Sequence, residues 1–170
     1  QPGLVSNYLH DEVQIGDVVE LLPPAGDFYL QAEPAPTVLI SAGVGLTPML
    51  AMLETIVAGG RNTPLWFLHA CENRAQHSFV SRLHTLAQQQ DNLQRHYWYQ
   101  QFTTADLKTG LVSAGLMDLG ALKDQLPLPQ GQFYLCGPAT FMQFVKTQLL
   151  QLGVAATNIH YEVFGPHQAL

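Results

Sequence analysis

The stretch Ser41-Ala42-Gly43-Val44-Gly45-Leu46-Thr47-Pro48-Met49-Leu50 lies where one residue pattern gives way to another. Thr37-Val38-Leu39-Ile40 before it is an apolar run of the kind found in a strand buried on both faces. After it, Met49, Leu53, Ile56 and Val57 recur at helical spacing until Gly59-Gly60 interrupts them. The stretch therefore predicts a strand over 37–42, a glycine turn, and a helix over 47–58. Thr47 is read as the N-cap, its hydroxyl satisfying an orphan backbone N–H. Pro48 suits the first helical position, where no N–H is needed. Such a turn aims backbone N–H groups and the positive end of a helix dipole at open space, which favours a phosphate. Glycines there let a ligand approach the backbone. The pattern is Gly-x-Gly-x-x-Pro, not the Gly-x-Gly-x-x-Gly dinucleotide fingerprint, because Pro48 replaces the third glycine.

The same alternation continues downstream. Leu65 to Ala70 reads as a second buried strand, and Phe79, Leu83 and Leu86 mark a helix. Residues 93–99 read as a third strand, 100–112 as a polar connection, and Leu119, Leu122 and Leu126 as a short helix ended by Pro127. Gln132 to Cys136 is a fourth strand. Gly137-Pro138 then opens a helix striped by Phe141, Val145, Leu149 and Leu152 and stopped by Gly153, and residues 158–164 form a fifth strand. Strands alternating with helices predict an α/β fold with a parallel, doubly wound sheet, whose ligands sit at the carboxyl ends of the strands.

Upstream the pattern differs. Tyr8-Leu9-His10 forms a helical turn with Ser6 or Asn7 as a cap, and Gly16-Asp17 is a turn. Val18 to Leu22 reads as a strand ended by Pro23-Pro24, with a further turn at residues 25–28. Residues 1–33 read as the end of an antiparallel β domain, 31–36 as a linker, and 34–170 as the α/β domain. The first residue is Gln1, which suggests a piece of a longer chain.

Composition limits the function. Of 170 residues, 47% are apolar and 12% charged, enough for a sizeable core. Seven Lys and Arg against thirteen Asp and Glu leave a formal charge of −6 with no basic stripe, so nucleic acid and anionic membranes are poor partners. No run reaches the roughly 20 apolar residues of a membrane span, and no signal-peptide pattern is present. Cys71 and Cys136 each end a predicted strand, and free thiols in a cytoplasmic protein are expected. The seven histidines lack zinc-site spacing, so no metal is expected.

Four segments occur in one order: Gly3-Leu4-Val5-Ser6-Asn7, Gly43 to Pro48, Tyr134-Leu135-Cys136-Gly137-Pro138, and Glu162-Val163-Phe164-Gly165-Pro166. Together they resemble the ferredoxin–NADP reductase superfamily, and within it the reductase module of bacterial flavohaemoglobins, the nitric oxide dioxygenases. Val-Ser-Asn-Tyr-Leu-His at 5–10, Pro-Ala-Gly-Asp-Phe at 24–28, Gly-Leu-Met-Asp-Leu at 115–119, Phe-Tyr-Leu-Cys-Gly-Pro at 133–138 and the Ile-His-Tyr-Glu-Val-Phe-Gly-Pro-His stretch near the end carry the likeness.

The resemblance implies a five-stranded nicotinamide-binding domain preceded by an antiparallel FAD-binding barrel and, before that, a globin. NAD(P)H, with NADH favoured, would give hydride to FAD. Electrons would pass to the globin haem, where bound oxygen oxidises nitric oxide. The barrel's Arg-x-Tyr-Ser segment, most of the barrel and the globin are not in this sequence. The resemblance assigns the dinucleotide loop to Gly43, Val44, Gly45, Leu46, Thr47 and Pro48. It sets Cys136, Gly137 and Pro138 near the nicotinamide. Phe164 would lie against the flavin, with Glu162 tuning redox behaviour and proton supply, and Val163, Gly165 and Pro166 completing that tail. Gly3 and Ser6 would sit under the FAD pyrophosphate. Glu72, just past the second strand, is a candidate ribose-binding acid, and Arg74 is a candidate for a 2′-phosphate. The expected partners are the FAD barrel and globin of the same parent chain. The other readings are a free-standing NAD(P)H:flavin or ferredoxin-type reductase, a nucleotide-binding module without turnover, and a doubly wound domain for another cofactor such as a methyl donor. A methyltransferase has no use for a flavin-stacking tail.

Overall fold

The structure, a computed structural model, describes residues 3–163. The elements are α1 (Leu4–Asp11), β1 (Thr37–Ala42), α2 (Leu46–Ala58), β2 (Leu65–Cys71), α3 (Val80–Gln89), β3 (Leu93–Tyr99), α4 (Thr104–Leu107), β4 (Val112–Ala114), β5 (Gln132–Cys136), α5 (Ala139–Gln151) and β6 (Ile159–Glu162). The strands form one parallel sheet in the order β4-β3-β2-β1-β5-β6.

Residues of β1 alternate between two cores because successive side chains leave a strand on opposite faces. Leu39 joins Met49, Leu53 and Ile56 of α2 and Leu83 and Leu86 of α3. Val38 and Ile40 join Met142, Val145 and Leu149 of α5, together with Met117 and Leu119. All of these are nearly or wholly excluded from solvent. Each such aliphatic side chain contributes about 1.5–3 kcal/mol of burial. A sheet covered on both faces explains why β1 and β5 read as continuous apolar runs.

From β1 the chain winds outward through β2 and β3 to β4. It then returns over the α5 face to β5, on the other side of β1. The direction of winding reverses between β1 and β5, so their carboxyl ends diverge into a crevice.

Several expectations are corrected. The sheet has six strands, not five. Residues 100–112, expected as a polar connection, include α4 and lead into β4, whose Val112 pairs with Tyr97. Three residues at a sheet edge are too few to show a period of two. The expected strand at 18–22 does not form among the described residues: Val18, Leu21 and Leu22 are exposed and have no strand beside them to pair with. The helix expected around Leu119, Leu122 and Leu126 is only a 3-10 turn at Gly120–Leu122, with Leu119 and Leu126 still buried. Phe79 is not on the buried stripe of α3. It is half exposed, at a left-handed φ of 57°, just before that helix begins. Neither Ser6 nor Asn7 caps α1. Gly3 does, and the Ser6 hydroxyl donates to the Gly3 carbonyl at 3.3 Å. The end of the expected fifth strand, beyond Val163, lies outside the described residues.

Candidate functional site: a nucleotide cleft at the sheet's switch point

The glycine turn lies at the carboxyl end of β1. Gly43–Gly45 form a single 3-10 turn that runs directly into α2. Thr47 is therefore not the N-cap. Gly45 occupies that position, α2 begins at Leu46, and the Thr47 hydroxyl donates back to the Val44 carbonyl at 3.1 Å. Pro48 falls third in the helix, still within the first turn, whose N–H groups have no intrahelical acceptor. Gly43, Val44 and Thr47 face solvent, whereas Gly45 and Leu46 are buried.

The two glycines do different work. Gly43 has φ +53°, and a Cβ there would point into open space. It supplies a backbone conformation that other residues reach only at a cost. Gly45 has ordinary dihedrals but no room. A Cβ would overlap the Cys136 carbonyl and lie 2.6 Å from the Gly137 nitrogen. Gly137 is crowded in turn: a Cβ would meet Phe141 Cδ1 at 2.9 Å and the Ala42 nitrogen and oxygen at 3.2 Å. The loops after β1 and β5 are thus packed backbone against backbone. The spacing rationale given for Gly45, close approach of a ligand, is replaced by close approach of the β5 loop.

Strand register brings further candidates to the same edge. Ser41 pairs with Cys136, and Cys136 with Glu162. Cys136 is wholly buried. Burial, with the Glu162 charge behind it, pushes its thiol up to about 11 despite the Gly137 contact that opposes the shift. The thiol is neutral at physiological pH, so it is no nucleophile. Glu162 is exposed, and Val163 packs at the margin of the α5-side core. Phe164, Gly165 and Pro166 lie outside the described residues. Gly3 caps α1 and Ser6 lies on it, and none of that helix's residues is buried.

A cleft of about 550 Å³ opens beside these loops, within the range of small-molecule sites. Ala42, Gly43 and Pro138 line it from the ends of β1 and β5, beside Ala70, Cys71, Glu72, Gln76 and Gln100 from the ends of β2 and β3 and the loops after them. Gly115, Leu116, Met117 and Thr140, Phe141 and Phe144 of α5 form the walls. Glu72 is held by Gln101, whose amide donates to the Glu72 carbonyl at 2.7 Å and whose Nε2 donates to the carboxylate at 2.6 Å. Arg74 is drawn to Asp106 at 3.5 Å and does not line this cleft. A cleft of this size, a turn with an open left-handed glycine, and a carboxylate just past the neighbouring strand suit a dinucleotide with its pyrophosphate at α2. Among the described residues no cluster of His, Cys, Asp and Glu is arranged to hold a metal ion.

A buried polar chain beneath the glycine turn was not foreseen. Ser41 Oγ bonds His69 Nδ1 at 2.9 Å, the His69 and His77 rings lie 4.9 Å apart, and His77 Nδ1 bonds the Tyr99 hydroxyl at 2.8 Å. Burial and the neighbouring His77 hold His69 down to about 3. Burial and the Arg74 charge hold His77 down to about 4. Both rings are neutral and structural at neutral pH. The one sequence signal was a histidine inside the apolar run Leu65 to Ala70. The aromatic wall of the cleft has no sequence signal of its own, because Phe141 shares the spacing of the α5 stripe.

The oxidoreductase NAD-binding domain family matches residues 39–147. The chain is 47% identical over 169 residues, 99% of its length, to a "Flavohemoprotein" of Vibrio cholerae, and it spans 41% of that protein. Its fold matches the crystal structure of the flavohem-like FAD/NAD-binding domain of nitric oxide dioxygenase from Vibrio cholerae, with a TM-score of 0.84 and 47% identity over 97% of this chain and 66% of that one. A flavohemoglobin from Malassezia yamatoensis, solved with bound FAD and heme, matches with a TM-score of 0.70 and 29% identity over 80% of this chain and 33% of that one. The likeness to flavohaemoglobin reductase modules read from the four sequence segments is thereby borne out. On the family match, which covers both loops of the cleft and most of the sheet that carries them, this chain belongs to the oxidoreductase NAD-binding domain family.

Proposed function

We propose that the chain is the NAD(P)H-binding part of a flavohaemoprotein's reductase module. In this reading residues 1–33 belong to an FAD-binding barrel and 34–170 form the nucleotide domain. The observation that carries it is the backbone contact between Gly45 and the Cys136-Gly137 peptide, which sets a phosphate-binding turn and a strand end side by side at the sheet's switch point.

The turn Gly43 to Pro48 holds the dinucleotide pyrophosphate at the start of α2, with Gly43, Val44 and Thr47 exposed to it. Gly137 and Pro138 leave room for the nicotinamide at the end of β5. The neutral Cys136 thiol lies buried behind that position and puts no charge beside the ring. Glu162 stands at the adjacent strand end, where an exposed carboxylate can exchange protons with solvent. Glu72, lining the cleft just past β2, accepts from ribose hydroxyls and repels a 2′-phosphate, which favours NADH over NADPH. The cofactors supply the redox chemistry itself: hydride from NADH to FAD, then electrons to a globin haem for nitric oxide dioxygenation. The chain contributes position, by holding two flat rings in one geometry and excluding water. The FAD-facing residues in this reading are Gly3, Ser6, Val163, Phe164, Gly165 and Pro166.

Leu4, Val5, Ile15, Val18, Leu21 and Leu22 are all at least two-thirds exposed. That is the surface expected of a segment packed into a neighbouring domain, and it supports barrel and globin domains of the same parent chain as partners. No helix among the described residues is long and apolar enough to cross a membrane, in keeping with a cytoplasmic location. Calorimetry of NADH binding, followed by NADH-driven reduction of an artificial acceptor with added FAD, tests the proposal. Binding is expected. Absence of any NADH or NADPH binding up to about 1 mM would overturn it.

A further inference from the structure

A second cleft, of about 450 Å³, lies on the opposite face of the sheet from the nucleotide cleft's α5 wall, between α3 and the β3–β4 edge. We propose that this cleft is a binding site for a small organic anion, a carboxylate or phosphate carried on a flat apolar body, received by Arg95 and Arg74 above the tyrosine rings of β3.

Charge is the first argument. The chain carries only seven Lys and Arg for thirteen Asp and Glu, yet two of its arginines line this one cleft and no carboxylate does. Arg95 makes no ion pair among the described residues. Arg74 is only loosely engaged. The Asp106 oxygen it faces lies at 3.5 Å, while that carboxylate's other oxygen accepts from the Thr103 amide at 2.8 Å and hydroxyl at 2.7 Å. Planar guanidinium groups recognise carboxylate and phosphate through paired N–H donors.

The second argument is an unsatisfied buried donor. Arg95, Tyr97 and Tyr99 alternate along β3 and so share the face covered by α3. Tyr97 is 3% exposed and lines the cleft, and its hydroxyl has no hydrogen-bond partner in good geometry, although the Arg95 guanidinium lies beside it. A buried hydroxyl left without a partner calls for one. An anion bridging Arg95 and the Tyr97 hydroxyl would supply it. Shape is the third argument. Val80, Leu111 and Val112 wall the cleft with the two tyrosine rings, which suits a flat apolar body and not a bare inorganic ion. The cleft is separate from the nucleotide site, with which it shares no lining residue.

The test is a two-dimensional amide NMR titration of the 170-residue chain with benzoate and with phenyl phosphate. Benzyl alcohol serves as the neutral control and inorganic phosphate as the ring-free one. Amide shifts are expected at residues 80–85, 95–99 and 109–112, with whichever probe binds more tightly naming the anionic group. Arg95→Gln is expected to weaken that probe about tenfold, with its NADH affinity unchanged. The wild-type comparison stands even if the variant fails to fold: benzyl alcohol and inorganic phosphate should each bind at least about tenfold more weakly than the aromatic anions. Absence of shifts at these residues up to about 10 mM probe, shifts confined to residues 43–47, or equal binding by either control would overturn the proposal.

Discussion

Gly45 and Gly137 cannot both keep their places if Gly45 carries a side chain: a Cβ on Gly45 would stand 2.6 Å from the Gly137 nitrogen. The two loops that flank the switch point are therefore held at a fixed separation by the smallest residue available.

Substitution separates the roles of the two glycines in the turn. Gly45→Ala forces the β1 and β5 loops apart, and we expect a loss of about 1–3 kcal/mol in stability by denaturant unfolding, the usual scale of overpacking, together with weaker NADH binding. A Cβ at Gly43 would meet no atoms, so Gly43→Asp has chiefly the left-handed φ to accommodate, at a cost of about 1–2 kcal/mol. It should leave the chain folded but weaken NADH at least about tenfold in calorimetry, because in the proposed site its carboxylate would face the pyrophosphate. A Gly45→Ala chain as stable as the wild type would contradict the packing described here.

The buried histidines predict acid sensitivity. Their folded pKa values, about 3 for His69 and about 4 for His77, lie below the ordinary value of 6.5. The neutral rings therefore contribute stability that is complete above pH 6.5 and is lost as pH falls toward 4 and then 3. Protonation of His77 would place a second charge beside Arg74, and a charge on either ring would be buried. Unfolding free energy measured from pH 8 down should drop by a few kcal/mol across that window, and His77→Gln should shrink the loss between pH 6.5 and 4 while leaving the His69 step toward pH 3. A stability that is constant from pH 7 to 4 would remove this account.

The thiol at the end of β5 predicts inertness. Cys136 titrates near 11 in the fold against an ordinary 9.0. The folded value is the higher one, so its contribution is complete below pH 9 and is lost as pH climbs toward 11. Iodoacetamide should label it at pH 8 only at the rate of global unfolding. Rapid labelling of the folded chain would show a thiolate exposed to solvent.

Glu72 predicts cofactor preference. Its side chain is anchored by Gln101 at 2.6 Å beside the cleft, while Arg74 is turned toward Asp106. Glu72→Gln removes the charge and keeps the shape, so NADPH should gain about tenfold in affinity with little change for NADH. An unchanged ratio of the two affinities would place the adenosine ribose elsewhere.

The limits of β1, β3 and β5 were legible in the sequence: β1 and β5 are largely apolar runs, and β3 ends in the aromatic run Tyr97-Trp98-Tyr99, followed by polar residues. The doubly wound parallel sheet followed from their alternation with the α2 and α5 stripes. β4 was hidden, since three edge residues carry no periodic signal. The segment 18–22 looked like a strand because Val18, Val19, Leu21 and Leu22 are good strand formers, yet nothing pairs with it. The candidate site was half legible. The glycine turn and Cys136-Gly137-Pro138 announced themselves locally. The reason for Gly45 did not, because it depends on a peptide 91 residues away in sequence. The chain from Ser41 through His69 and His77 to Tyr99 joins three strands and a loop, and no local window contains it.

Hydrogen–deuterium exchange of the chain with and without NADH tests the central claim most directly. If the dinucleotide lies between the β1 and β5 loops, NADH will slow exchange at residues 43–47 and 137–140 together and leave α3 and β4 unchanged. Protection that misses both loops, or that appears at only one of them, would contradict a single cleft built on the contact between Gly45 and Gly137.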